Sequence, residues 1–363
     1  MSELKEKLDV WADGGAAALV LEQPLRPVVG TLVFPPTFAP ARKGDPSDYI
    51  IDDVDGQGVV TLDTPGAEAN RLEPLFLKPP LAELVPQITI TAGNQQKNLL
   101  ELGHRAADAL VRSVKDKAPI VEQAFEQVLV GDHSALAAFA PTSLVFGAWD
   151  SRGTGAKLPR LLEARVDAYG VEKRNRAAQY FAAVDYVETG LLDQSKDKKE
   201  LVQRSQAGFR DSPSGRQPGG VEIVEGGKGI VRTLTVHLAG IHRLGAGADV
   251  ERGRLLRQYV LGLALAAVTA PLPLFLRQGC SLVPPNPKNG ENAPRWSAVG
   301  FEGSEDEFDL PHDEIISYTR AARDRLFPKG LKNETWSATK TGAQAEVKKR
   351  AKSDDEAGAA ARP

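Results

Sequence analysis

Apolar and polar positions follow two periods along the chain, and these periods mark out its elements. Leu4, Leu8 and Trp11 recur at helical spacing and predict a short amphipathic helix over residues 2–12. Residues 17–34 (AALVLEQPLRPVVGTLVF) read as a first long strand. Pro24 and Pro27 within it point to a bulge or a sheet edge, because proline donates nothing to a ladder. A polar, proline-rich excursion follows, from Pro35 to Gly58. A short strand at 59–62 leads into TPGAEANRLEPLF, where Thr64 or Pro65 starts a helix running to Leu72. Residues 95–140 are mostly helical in pattern, with Leu99, Leu102, Ala106, Leu110 and Val114 along one side. Residues 143–149 read as a buried strand around Leu144, Val145 and Phe146. The segment IVRTLTVHL (230–238) alternates cleanly and predicts a strand; 251–268 is the strongest helix, and LPLFLRQG (272–279) a closing strand.

Two segments break the pattern. Residues 185–220 are polar and glycine-rich, so they predict a long loop or mobile hairpin, a kind of segment that is usually functional or disordered. From Lys329 onward the chain is polar and alanine-rich with mixed charge, so 329–363 reads as a disordered tail. Stripped of insertions, the order is strand, helix, two strands, helix, strand. That predicts an α+β fold with the βαββαβ arrangement of RNA-recognition and ferredoxin-like domains.

Composition narrows the function classes. The chain has 363 residues, 42% hydrophobic and 26% charged, enough to bury a sizeable core. A net charge of -3 argues against binding nucleic acid through bulk charge. It permits a local basic groove, because counterion release depends on the cations beside the phosphates. The single cysteine, Cys280, precludes an intrachain disulfide framework or a Cys-based zinc site and fits a reducing cytoplasm. The opening residues MSELKEKLDVWADGG lack the apolar core of a signal peptide. The uncharged run 260–276 is cut by Pro271 and Pro273, which predicts a buried helix and strand with no membrane contact.

The most suggestive chemistry lies in SLVFGAWDSRGTGAKLPR (143–160). Ala156 separates Gly155 from Lys157, so the stretch is not a Walker A loop. Glycines let backbone N–H groups approach an anion, and Arg152, Lys157 and Arg160 are placed to contact phosphate oxygens. A solvated β-to-α turn is equally open. Residues 151–180 hold seven Lys/Arg against three Asp/Glu, with Tyr169, Tyr180 and Phe181 interleaved. Cations with aromatics on which bases stack make a single-strand binding surface, unless the aromatics simply pack the core. Phe209 and Arg210 stand in the polar insertion with no obvious core to join. The five histidines (104, 133, 237, 242, 312) show no metal-ligand spacing, and no nucleophile motif is present. No catalytic residue, metal or cofactor is expected.

Five motifs taken in order resemble one family: TPGAEANRLE (64–73), SLVFGAWDSRGTGAKLPR (143–160), AYGVEKRNRAAQYFAAVDY (168–186), VRTLTVHLAGIHRL (231–244) and LRQGCSLVPP (276–285). It is the backbone subunit of type I-G (formerly I-U) CRISPR Cascade complexes, in the RAMP superfamily. The resemblance implies a structural subunit without catalysis of its own. Copies line up head to tail along one CRISPR RNA, contact other Cascade subunits, and leave the guide bases free to pair with target DNA. It also implies a palm over 17–300 after an N-terminal helix (1–16). The palm carries a helical insertion at about 95–140 and a thumb at about 190–220, and is followed by an extension at 301–328.

The resemblance carries RNA contacts onto Asn70 and Arg71, although Gly66, Ala67 and Glu68 lack the family's usual polar side chains. The same transfer reaches Arg152 and Lys157, then Arg174, Arg176, Gln179 and Tyr180 on the strand leading to the thumb, with Phe209 and Arg210 at the thumb tip and Arg277 at the end of the last strand. A ribonuclease of the same superfamily, with a histidine as general acid or base, is the alternative. A third reading is an enzyme taking a phosphorylated small molecule at 152–160.

Overall fold

The chain is described from a computed structural model covering residues 3–39, 47–212, 215–224, 226–286 and 294–349. Helix α1 (Glu3–Ala12) buries Leu8, Trp11 and Ala12 and precedes strand β1 (Ala18–Pro27). After β1 come a short β2 (Leu32–Val33), the hairpin β3 (Asp52–Val54) and β4 (Gln57–Asp63), and helix α2 (Pro65–Leu72). Thr64 caps α2 by accepting from the Ala67 N–H, and Pro65 fills the first turn, as the sequence indicated.

Two 3-10 turns (Glu73–Leu77 and Leu81–Leu84) lead to a hairpin, β5 (Ile88–Ala92) and β6 (Gln95–Asn98), which is followed by the helices α3 (Ala109–Arg112), α4 (Ala118–Leu129), α5 (Ser134–Phe139) and α6 (Pro141–Phe146). The buried strand expected at 143–149 is therefore corrected. Pro141 opens a helical turn whose residues are buried all round, and only Ala148–Trp149 (β7) is extended, pairing with Lys157–Leu158 (β8). A run buried on every side has no period from which to tell helix from strand.

Strand β9 (Leu162–Tyr169) passes into a long hairpin of β10 (Val171–Ala178) and β11 (Gly215–Ile223), with α7 (Lys198–Gln206) near its tip. Then come β12 (Gly229–Val236), a turn of helix α8 (Leu238–Ile241) and the buried α9 (Val250–Thr269). The expected closing strand is a hairpin, β13 (Leu274–Arg277) and β14 (Cys280–Val283). The chain goes on through β15 (Arg295–Val299), β16 (Glu305–Phe308), α10 (His312–Leu326) and β17 (Glu334–Ser337) to a helix over 340–349. The tail reading thus fails for its first part: β17 pairs parallel with β5, and Trp336 is buried. Residues 350–363 lie outside the described residues.

The fold is α+β. The main sheet runs β13-β14-β1-β12-β9-β4-β3, and its four central strands are antiparallel throughout. Taken in chain order (β1, β9, β12, β14), they sit in space as fourth, first, third, second. β1 is central rather than an edge. On its side away from β12, β15 covers residues 18–22 and β14 covers 26–27. Pro24 falls in the gap between them, where this side of the ladder is already open.

One face of the sheet carries two apolar clusters. Leu19 and Leu21, Leu162 and Ala164, and Leu234 and Val236 join the larger, which packs against α9. Leu25, Val166, Ala168 and Ile230, at the same parity on the same strands, join the smaller. Arg232 sits between them on β12, and the seam is filled with charge.

Candidate nucleic-acid interface

The seam fixes the base of the site. Glu68 is fully buried under Arg232, whose Nε donates to its Oε2 at 2.8 Å. Burial holds the Glu68 carboxyl above its ordinary range, against the pull of Arg232. Arg71, in the last turn of α2, reaches Asp63 at 2.8 Å and Glu68 at 3.5 Å, and donates to the Phe275 carbonyl at 3.4 Å. Arg277 donates to the carbonyls of Leu62 (2.7 Å) and Phe34 (3.3 Å) and stands 3.7 Å from Asp63. Both guanidinium groups are tied into this network and shape the floor, while their side chains stay 22% and 28% exposed. Asn70, beside Arg71, is exposed.

The cationic loop is a wound turn rather than a flexible one. Asp150 is buried, and its Oδ2 accepts from the N–H and the hydroxyl of Thr154 at 2.7 and 3.0 Å. Its backbone bonds to Ala156 and Gly155. A Cβ at Gly153 would lie 2.3 Å from Asp150 Oδ2, so this position must be glycine. Arg152 and Lys157 stand exposed on the outside of the turn, and Lys157 Nζ lies 5.4 Å over the Trp149 ring. Arg160, also exposed, lies beside the N-terminus of α2, 3.7 Å from where a Cβ on Gly66 would be.

On β10, Arg174 pairs with Glu222 and Glu172, and Lys173 pairs with Asp48. Arg176 instead lies 5.8 Å over the Phe34 ring. Arg152, Lys157, Arg160 and Arg176 have no carboxylate partner among the described residues. At the hairpin tip Gln179 is exposed, and the Tyr180 hydroxyl donates to the Gly208 carbonyl at 3.1 Å. Phe209 is not the isolated aromatic that the sequence suggested, because its ring meets Tyr186 edge-on at 5.0 Å. Arg210 is exposed next to it.

These contacts string four of the twelve expected residues, Lys157, Arg160, Arg71 and Arg176, into one track. It runs from Trp149 and Lys157 past Arg160 and the start of α2, over the Arg71–Phe275 contact, to Phe34 and Arg176. Two aromatics escaped the sequence reading: Trp149 is 58% exposed and Phe275 62%. The alternation in LPLFLRQG held the signal for Phe275, because Leu274 points into the core and its neighbour must point out. The tip residues 179, 180, 209 and 210 lie on the hairpin beyond this track.

The histidines stand apart from the track's contacts. His104 faces Asp108 at 3.5 Å, His237 faces Glu163 at 3.7 Å, and His312 bonds Thr269. His133 is buried against Gly245. Among the described residues no group of three or more His, Cys, Asp or Glu could hold a metal ion, and no helix is long and apolar enough to cross a membrane.

The turn and the α2 side of the floor (Asp63, Glu68, Arg71) belong to a part of the chain that is similar to CRISPR-associated proteins, whereas Arg232, Phe275 and Arg277 lie beyond it. Residues 19–173 match the model of a family described as CRISPR-associated protein GSU0053. The match contains the motifs at 64–73 and 143–160 and ends within the third. No curated protein matches. Among solved structures, a chain of a "CRISPR RNA-guided surveillance complex, pre-nicking" is similar with a TM-score of 0.33 and 10% identity, covering 92% of this chain and 99% of that one. Over residues 19–173 the chain is thus similar to a CRISPR-associated family, and the family match is what carries this.

Proposed function

We propose that this chain is a CRISPR RNA-binding backbone subunit of a type I surveillance complex, repeated along the guide and holding it for pairing with target DNA. The observation that carries the reading is the track itself. Lys157, Arg160 and Arg176, without carboxylate partners among the described residues, and the exposed Trp149 and Phe275 lie along one path, with Arg152 exposed on the adjoining turn, which suits a ribose–phosphate backbone held by charge and shape. The family match over 19–173 supports it. Cleavage is left to other components, and copies of this chain and other Cascade subunits are its partners. The thumb role of the β10–β11 hairpin belongs to the same proposal.

The test is to express the chain with a CRISPR array and its companion subunits and to record absorbance ratio, particle size and the sequence of bound RNA. Large particles carrying guide-length RNA are expected. A clean monomer without RNA would overturn the reading and return the 152–160 turn to the role of a small-anion site. Cleavage of repeat RNA that is lost on His104→Ala would favour the ribonuclease.

A further inference from the structure

We propose that the helix over residues 340–349 is a positioning strap for the cationic turn at 150–157, acting through Arg112; its value for binding rests on the reading of that turn as part of an RNA track. The strap is seated with care. β17 lies parallel to β5, and Lys117 holds Glu334 at 2.5 Å and stands 5.4 Å over the Trp336 ring. Thr339 donates its N–H to the Ser113 carbonyl at 3.0 Å and caps the helix by accepting from the Gly342 N–H at 3.0 Å. A Cβ at Gly342 would lie 2.2 Å from the Ser113 carbonyl oxygen, so only glycine allows the helix to come this close. Lys349 then pairs with Glu122 on α4 at 2.6 Å.

The relay runs through one guanidinium. Glu346 Oε2 lies 3.3 Å from Arg112 Nε, and Arg112 Nη1 lies 3.6 Å from Asp150 Oδ1. Arg112 also bonds the Ala107 carbonyl. The two oxygens of Asp150 are thus divided: Oδ1 faces Arg112, and Oδ2 winds the turn through Thr154. Gly153 of the turn and Glu346 and Lys349 of the strap line one small cleft with Arg112. A segment with the composition of a loose tail therefore bears on the residue that shapes the turn.

The test uses the full chain carrying Glu346→Ala, without RNA, followed by hydrogen exchange at the Thr154 and Gly155 amides and by the urea midpoint. Exchange is expected to speed by about five- to tenfold with little change in global stability, as for a local opening. Unchanged exchange would overturn the proposal. A second variant exchanges the charges, Arg112→Glu with Glu346→Arg. It restores the strap's ion pair but sets a carboxylate against Asp150, so the turn should stay loose. Recovery of slow exchange in that variant would show that the strap merely clamps α4, and would also overturn the relay. RNA retention is read in parallel. Faster exchange with retention unchanged would uphold the strap and count instead against the RNA track.

Discussion

The charged residues divide into those that hold the structure and those left facing solvent. Glu68 and Arg232 belong to the first group. Removing one partner of a buried pair strands the other charge, so Glu68→Ala should cost about 3–5 kcal/mol in urea unfolding. A loss near zero would mean that the seam closes without the pair. Glu73, buried against Arg105 at 2.6 Å, gives a pH signature. Burial pushes its carboxyl above the ordinary 4.5, with Arg105 pulling the other way. The folded state therefore holds this proton more tightly than the unfolded chain does. Its contribution to stability is complete below 4.5 and is lost as pH rises through the raised value. Glu73→Gln should flatten that part of the stability–pH curve, and a slope that persists would assign it elsewhere. Arg152 and Lys157 belong to the second group. Replacing both with alanine should weaken RNA retention about tenfold or more and flatten the log-affinity against log-salt slope by about 1.4. A slope equal to wild type would remove both from the backbone contact.

Among the elements, the β10–β11 hairpin is the most separable. Its stem is held by strand pairing and by β2, whereas α7 at the tip buries none of its residues. Phe181, Leu191 and Val202 are exposed there. Replacing residues 181–211 with a short turn should therefore leave the melting temperature within about 2 °C, since little apolar area is lost from the core. It should alter the spacing of protein along bound RNA, as read by nuclease footprinting. An insoluble product would show that the tip supports the fold. Legibility varied by element for physical reasons. β12 and α2 were plain because they carry a clear period or cap, and α9 because its apolar run is too long for a strand. The turn of helix at 141–146 was not, since burial all round erases the period. β17 was hidden because its burial comes from parallel pairing with residues 88–91, far away in sequence.

For the molecule as a whole, net charge said little about the interface. A chain at -3 overall still sets Lys157, Arg160 and Arg176, none paired with a carboxylate among the described residues, along one path, and places Glu305 and Asp306 exposed on the edge strand β16. Loaded particles should shed RNA as salt rises, and size-exclusion runs at several salt concentrations would register it. Salt-insensitive particles would mean that contacts other than charge hold the RNA. The site was legible as a set of residue types, not as geometry. Arg71 and Arg277 carry the right charge, yet no sequence pattern discloses that Asp63 has already claimed them.

The central ladder also sets a clock. Leu19 pairs with Val236, so β1 leaves the ribosome roughly two hundred residues before its main partner. At roughly 5–20 residues per second, that strand waits about 10–40 s with its hydrogen-bonding groups open to any passing chain. Synthesis is the period when this protein is most exposed to aggregation. Fragments that stop before Gly229 should accumulate as aggregates even though they contain every cation of the track.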